Sequence, residues 1–357
     1  MGLGIRQVSL PSDRAEMLEI LNLNFGSSQE GRFDWRHTSN PAGESVSWFM
    51  YNKSTLATVA MATVFPRNML VSGKYVRAGQ VGEFAVNPKY RSLGPAVQLQ
   101  RATFEPVNDG RLSFCYDCPP HDQGMSTFVR IGLNPVCEVY RYALPLRSDQ
   151  YLNRRLGQHL WTKPVAAAAN LLLRARRRSP SISNLDIREH SGIFGDEFSN
   201  LEKVMSKDEG VRASRDAKNL NWRFVEDPAA SLCSPNENTG RYRFFVARSA
   251  GELKAFIAFL IQSDRIALIV DMFGLELGEI GPALIETVLG ICQEEDVSTI
   301  QALLSQESGL VPIFQAMGFR KRERNARVVP YTGPREPALM CSRAPFKWMF
   351  GQLEVML

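Results

Sequence analysis

The chain has 357 residues, 44% of them hydrophobic and 22% charged, with a formal net charge of +5. That length accommodates two domains of ordinary size and the composition is that of a globular protein; no run reaches the roughly 18 apolar residues of a membrane span. So mild a positive charge argues by itself neither for nor against a nucleic-acid partner, and on the whole sequence none is expected.

The N-terminal stretch MGLGIRQVSLPSDRAEMLEIL has no basic run followed by a continuous apolar one. No signal peptide is read from it, and a cytoplasmic location is expected. Six cysteines are scattered over the chain without a framework spacing, so reduced thiols are expected. Cys115 and Cys118 form a C-x-x-C with only His121 nearby, which is too few ligands for a zinc site, and no metal is expected.

In chain order, the opening GIRQVSL reads as a strand and SDRAEMLEIL as a helix that Ser12 or Asp13 caps. The β-rich runs SVSWFMYN, TLATVAMATVFP and KYVRAGQVGEFAV follow, then a helix from near Gly94, a strand RLSFCYDC, a helix GMSTFVRIG and a strand VCEVYRYALPL. Later the order recurs: strands YRFFVARS, LKAFIAFLIQ and RIALIVDMFG, a helix in IGPALIETVLGICQEE, a strand VSTIQALLS, a helix GLVPIFQAMG and a strand FRKRERNARVVPY. Several strands followed by strand–helix units make an α+β class.

Short landmarks repeat in register. Trp35-Arg36 in FDWRHTSNPAG answers Trp222-Arg223 in LNWRFVEDPAA, 187 residues on. Gly94-Pro95-Ala96 and Gly281-Pro282-Ala283 keep the same offset, and Gly132 and Gly318, each ending a hydrophobic helix, keep it within one residue. Three landmarks in one register imply a duplicated domain. The expected division is residues 1–147, a basic connector 148–183, and a second domain 184–357. Because Trp-Arg recurs in both halves, a packing role is expected for it.

The stretch NPKYRSLGPAVQLQ carries chemistry. Pro95 suits the first turn of a helix, where its missing N–H costs nothing. The free N–H groups of that turn and the positive end of the helix dipole suit a phosphate, which Gly94 lets approach, beside which Ala96 leaves room, and to which Arg91 adds charge. In the second half, LELGEIGPALI is expected to keep the helix start at Gly281-Pro282-Ala283 but puts Gly278 in the place of Arg91 and brings Glu276 and Glu279 close, which opposes anion binding.

A [Gln/Arg]-x-x-Gly-x-[Gly/Ala] pattern after a long strand, followed by strand, helix, glycine and strand ending in FVRIGLNPVCEVYRYAL, resembles the GNAT acetyltransferase superfamily. The resemblance covers nearly all of both halves. It implies two tandem domains, each a mixed, splayed β-sheet flanked by helices, with acetyl-CoA held in the first and a degenerate second domain without a cofactor. It implies that Phe84, Ala85 and Val86 offer backbone groups to the pantetheine arm and that Arg91, Ser92, Leu93, Gly94 and Ala96 hold the pyrophosphate. It implies Glu83 as the base that deprotonates the acceptor, with burial expected to raise its pKa. It places Arg36, His37 and Asn40 on the acceptor side. The family's tyrosine, four residues before the helix-ending glycine, is here Phe128, and Phe314 in the second half; Tyr116 is expected in its stead, with Asp117, His121, Tyr140, Tyr142 or water as alternatives.

Residues 151–178 hold seven Lys or Arg and no acid. They read as an interdomain connector, with peripheral contact to anionic lipid the next reading and a surface tracking nucleic-acid phosphates the last. The expected function is acetyl-CoA-dependent N-acylation of an amine on a small molecule or amino sugar. Two alternatives stand beside it: an aminoacyl-tRNA-dependent transferase of the peptidoglycan-bridge type, and a non-catalytic binding protein derived from acetyltransferases.

Overall fold

The computed structural model describes residues 2–25, 29–91, 93–147, 185–207, 210–228 and 242–333. The basic connector 148–183, with its segment 151–178, lies outside them, as does Ser92.

The first half runs β1 (Leu3–Gln7), α1 (Leu10–Phe25), α2 (Glu30–His37), β2 (Val46–Asn52), β3 (Thr58–Val71), β4 (Lys74–Val86), α3 (Leu93–Ala102), α4 (Glu105–Asn108), β5 (Cys115–Asp117), α5 (Asp122–Arg130) and β6 (Cys137–Pro145). The second runs β7 (Asp186–His190), α6 (Asp196–Met205), β8 (Val211–Ala213), α7 (Ala217–Leu220) with a π turn Asn221–Val225, β9 (Tyr242–Ser249), β10 (Glu252–Ile261), β11 (Ile266–Gly274), α8 (Leu277–Glu294), β12 (Thr299–Ser305), α9 (Val311–Ala316) and β13 (Arg320–Tyr331). Apart from β8, which extends the edge of β3, and the short α4, which only the first half has, the two halves give the same order. The first helix begins at Leu10, ahead of Ser12; Asp13 sits inside its first turn and turns back to accept the Ser9 N–H (2.8 Å) while pairing with Arg6 (2.6 Å).

All thirteen described strands form one mixed sheet ordered β1-β2-β3-β4-β5-β13-β6-β12-β11-β10-β9-β7. The order is nearly palindromic, and its centre exchanges the closing strands. β13 of the second half lies against β5 of the first, while β6 of the first lies against β12 of the second. Val-, Ala- and Met-rich β3 is buried along nearly its whole length because both its faces are covered. α1 and Phe33 of α2 pack on one face with Phe49, Met61 and Ala85. Leu99 and Ala102 of α3, Val107 of α4 and Phe128 of α5 pack on the other with Trp48, Val64 and Val81.

The halves also meet through the repeated tryptophans. Trp35 and Trp222 stack at 4.8 Å between ring centroids, and each indole N–H donates to the other's backbone carbonyl, at 2.7 and 3.0 Å. A contact that reciprocates across a pseudo-two-fold needs the same residue from each half, which is the physical reason the motif recurs.

Candidate active site

Parallel pairing of β4 with β5 is brief: Gly79 faces Cys115, Gln80 faces Tyr116, and there it stops. β4 runs on to Val86 with β3 on one side only, so the edge of residues 81–86 toward β5 has no partner strand among the described residues. Unpaired strand groups beside a gap can receive an extended ligand. Phe84, Ala85 and Val86 lie along this edge. Val86 already accepts from Arg91 Nε through its carbonyl (3.2 Å).

At the mouth of the gap β4 bulges: Gly82 faces Thr63 but Ala85 faces Met61, one residue too many on β4. Glu83 takes up the difference with a left-handed φ of +50°. A non-glycine residue held there is strained, and a bulge re-aims its side chain. Glu83 is turned toward α2, where Arg36 donates from Nη1 to Oε1 (3.1 Å) and Thr63 Oγ1 stands 3.4 Å from Oε2. His37 Nε2 is 3.1 Å from Oε2, though off the hydrogen-bond axis. His37 is completely buried, held by Ser45 Oγ at Nδ1 (2.7 Å) and stacked on Phe33.

Burial raises the Glu83 pKa as the sequence reading anticipates, but facing His37 and Arg36 outweigh it and hold the carboxyl below its ordinary value. The expected elevation is therefore corrected: Glu83 is an ionised acceptor with a cation against it. The acceptor-side trio also divides. Arg36 keeps an edge in solvent, with 14% of its side chain exposed. His37 is enclosed, and Asn40 is buried with Nδ2 donating to the Pro66 carbonyl (2.9 Å) and Oδ1 accepting from the Ala42 N–H (3.0 Å). These two shape the wall from inside. Arg32, one turn before Arg36, pairs with Asp227 of the second half (2.9 Å), which Arg223 also binds (2.6 Å). Asp227 gives no sequence signal beyond its distance from Trp222.

Downstream of the bulge, Asn87 caps a 3-10 turn Pro88–Tyr90 that delivers the chain to α3. Arg91 is exposed, folded back onto Val86 and donating to Asn24 Oδ1 of α1 (3.2 Å), with no acid against it among the described residues. α3 starts at Leu93 with no acidic residue in its first turn. Gly94 is exposed and a Cβ there meets nothing within 4 Å, so the protein leaves that approach open; Ala96 is half-buried.

The second half differs at each point. α8 begins at Leu277, so Gly281-Pro282 lies beyond its first turn, and the expectation that this string marks a helix start is corrected. A Cβ on Gly281 meets Ile313 at 3.3 Å and Met272 at 3.4 Å, space already occupied. Glu279 lies in the first turn of α8 and Glu276 occupies the position just before it, without a capping bond from its side chain. β11 repeats the bulge, Ala258 facing Asp271 and Phe259 facing Ile269, but the position answering Glu83 is Val270, buried in the core.

Tyr116 is 1% exposed and packs in the core shared by the halves, against Phe114. Its ring lies in an apolar interior, away from solvent. Asp117, the next residue, is half-buried at the end of β5. Its carboxyl accepts from the Cys118 N–H (2.6 Å), and burial pushes its pKa up to about 7. Phe128 is 2% exposed in the α3–α5 core. Among the described residues no cluster of His, Cys, Asp and Glu suits a metal, and no helix is long and apolar enough to cross a membrane.

Residues 5–121, which contain the gap, the bulge and the start of α3, match the family model for the acetyltransferase (GNAT) domain. The chain has the GNAT fold. Over 93% of its length it superposes on an Enterococcus faecalis V583 protein described as a probable N-acyltransferase (TM-score 0.62, 11% identity, 72% of that chain). A GCN5-related N-acetyltransferase from Anabaena variabilis ATCC 29413 gives the same coverage and TM-score at 14% identity, over 73% of that chain. Saccharomyces cerevisiae N-myristoyltransferase, solved with myristoyl-CoA, matches 92% of this chain and 82% of its own at a TM-score of 0.58 and 13% identity. At such identities the likeness is one of fold, and no curated protein matches the sequence. The GNAT fold accounts for the mixed sheet, the flanking helices and the parting of β4 from β5.

Proposed function

We propose that the chain is an acyl-CoA-dependent N-acyltransferase working in its first half, and that it transfers an acetyl group to an amine of a small molecule or amino sugar. The observation that carries this is the parting of β4 and β5 after Gln80 and Tyr116, with the strained carboxylate of Glu83 on one side and an acid-free helix start beside Arg91 on the other. Phe84, Ala85 and Val86 offer backbone groups to the pantetheine arm. Arg91 and the first-turn N–H groups of α3, with Gly94 and Ala96 leaving room, hold the pyrophosphate; Ser92 and Leu93 are the other residues that the family resemblance assigns to it. The donor supplies an activated acyl carbonyl.

The acceptor approaches from the α2 face. An ammonium has no lone pair, so a proton must leave before or during attack, and Glu83 takes it directly or through a water. Arg36 keeps Glu83 ionised and correctly aimed, at the cost of basicity. Strand N–H groups freed at the bulge polarise the thioester carbonyl, and enclosure in the gap aligns the reactants.

Calorimetry with acetyl-CoA and with myristoyl-CoA tests the donor site and its chain length together. Binding of neither overturns the reading, and preference for myristoyl-CoA replaces the acetyl group. Turnover across an amine panel, wild type against Glu83→Gln, then separates an enzyme from a binding protein.

A further inference from the structure

A thioester leaving group departs as a thiolate, and a thiol of ordinary pKa near 8.5 gains from a proton as the bond breaks. Glu83 is held ionised and is the group that takes a proton up, so the donor must lie elsewhere. Tyr116 is turned into the interior and Phe128 has no proton to give.

The sheet's alternation sorts the remaining groups. A Cβ on Gly79 would meet Cys115 Sγ together with Val64 and Leu112, all on the α3–α5 face. Tyr116 belongs to the core on the other face, and Asp117, two residues after Cys115, returns to the α3–α5 face. Glu83 is engaged with α2 on the opposite face. One carboxyl therefore stands on each side of the sheet at the point where β4 and β5 part.

Resting on the donor site proposed above, we propose that Asp117, at the end of β5 on the face opposite Glu83, is the catalytic proton donor to the departing sulfur. As the amine nitrogen forms its bond to the acyl carbon, the carbon–sulfur bond breaks and its electron pair goes to sulfur, which takes the proton of the Asp117 carboxyl. The amine's proton goes to Glu83. Water then reprotonates Asp117 and relieves Glu83, so that amine and thioester become amide and thiol with no net proton uptake.

The surroundings suit a neutral carboxyl. No cation pairs with Asp117 among the described residues; its one hydrogen bond comes from the Cys118 N–H. The charges on neighbouring elements are engaged with one another: Arg327 of β13 with Asp122 of α5 (2.6 Å), Arg324 with Glu138 of β6 (3.0 Å), Glu83 of β4 with Arg36 and His37. His121 is exposed on the turn after β5, and Cys115 is a buried thiol that its environment keeps protonated. A pKa of about 7 leaves the Asp117 carboxyl partly protonated at neutral pH.

The test compares wild type and Asp117→Asn with two donors, acetyl-CoA and S-(4-nitrophenyl) thioacetate, whose leaving group needs no proton. The variant is expected to lose about 10²-fold in kcat with acetyl-CoA and to stay within about threefold with the aryl thioester, and the fall of kcat above neutral pH should disappear. Equal losses with both donors, or an unchanged rate with acetyl-CoA, overturn the assignment. A carbon-13 titration of Asp117, identified by its absence from Asp117→Asn, is independent of any acceptor. A midpoint near 7 supports the proposal, and one below 5 overturns it. If acetyl-CoA does not bind to wild type in calorimetry, it is the donor site that fails, a result distinct from either of these.

Discussion

Glu83 and Asp117 show what one side chain's surroundings do to its chemistry. Glu83 has a lowered pKa in the folded protein, so its contribution to stability is present above the ordinary value of 4.5 and is lost as pH falls through the folded value. Glu83→Gln should lower stability by about 1–3 kcal/mol at pH 7, because Arg36 loses a charged partner in a half-buried place. The difference in Tm between wild type and variant should shrink below pH 4. Asp117 is the reverse case: its raised pKa means that ionisation costs more in the folded than in the unfolded chain, so wild type loses stability as pH rises from its ordinary 3.8 to about 7. Asp117→Asn escapes that loss, and its Tm relative to wild type should climb over this window in thermal melts; a flat difference would mean that the carboxyl is solvated. At this scale the residue types were legible in the sequence and their environments were not. The partners of Glu83, Arg36 and His37, stand 47 and 46 positions away along the chain, in a stretch that the repeated Trp-Arg marked without showing that it is a helix or that it faces Glu83.

Helix starts separate the two halves. α3 opens with an exposed glycine, no acid and Arg91 beside it; α8 opens earlier, over Glu276 and Glu279, and buries Gly281 of its Gly-Pro-Ala string against α9 and β11. Gly94→Asp gives α3 the acid that α8 has. With nothing within 4 Å of the new Cβ, the Tm should stay near that of wild type while acetyl-CoA binding by calorimetry weakens about tenfold or more. Arg91→Ala should weaken it likewise and flatten the salt dependence of Kd, because the side chain is exposed and screened. The sequence showed the lost arginine and the gained acids. It did not show that the helix had lengthened toward its N-terminus, since Gly-Pro is tolerated in a first turn and only packing reveals that it sits in a second.

Across the whole molecule, exchange of β6 and β13 ties the halves more closely than two beads on a linker. Each half's sheet is completed by a strand from the other, and β8 adds a further tie to β3. Thermal unfolding followed by calorimetry should therefore show one transition, and residues 1–147 made alone should fail to fold, with β5 lacking β13 and β6 lacking both its neighbours. Trp35→Ala or Trp222→Ala should cost about 3–5 kcal/mol, and the double variant less than the sum, since either change removes the same stacked pair. Two well-separated transitions would show that the exchanged strands carry little of the coupling.

From the sequence alone came the α+β class, most of the order of strands and helices, the repeat and its offset, and the contrast between an arginine-bearing loop and an acidic one. All of these are local or periodic properties of the chain, set by spacing, propensity and charge. Only the tertiary structure decided which strand closes which sheet, that Trp35 and Trp222 clasp each other, that Glu83 sits strained against Arg36 while Tyr116 turns inward, and that Asp117 stands where the strands part. Those depend on contacts between residues far apart in the chain, where burial and the nearest charge, rather than residue type, set the chemistry.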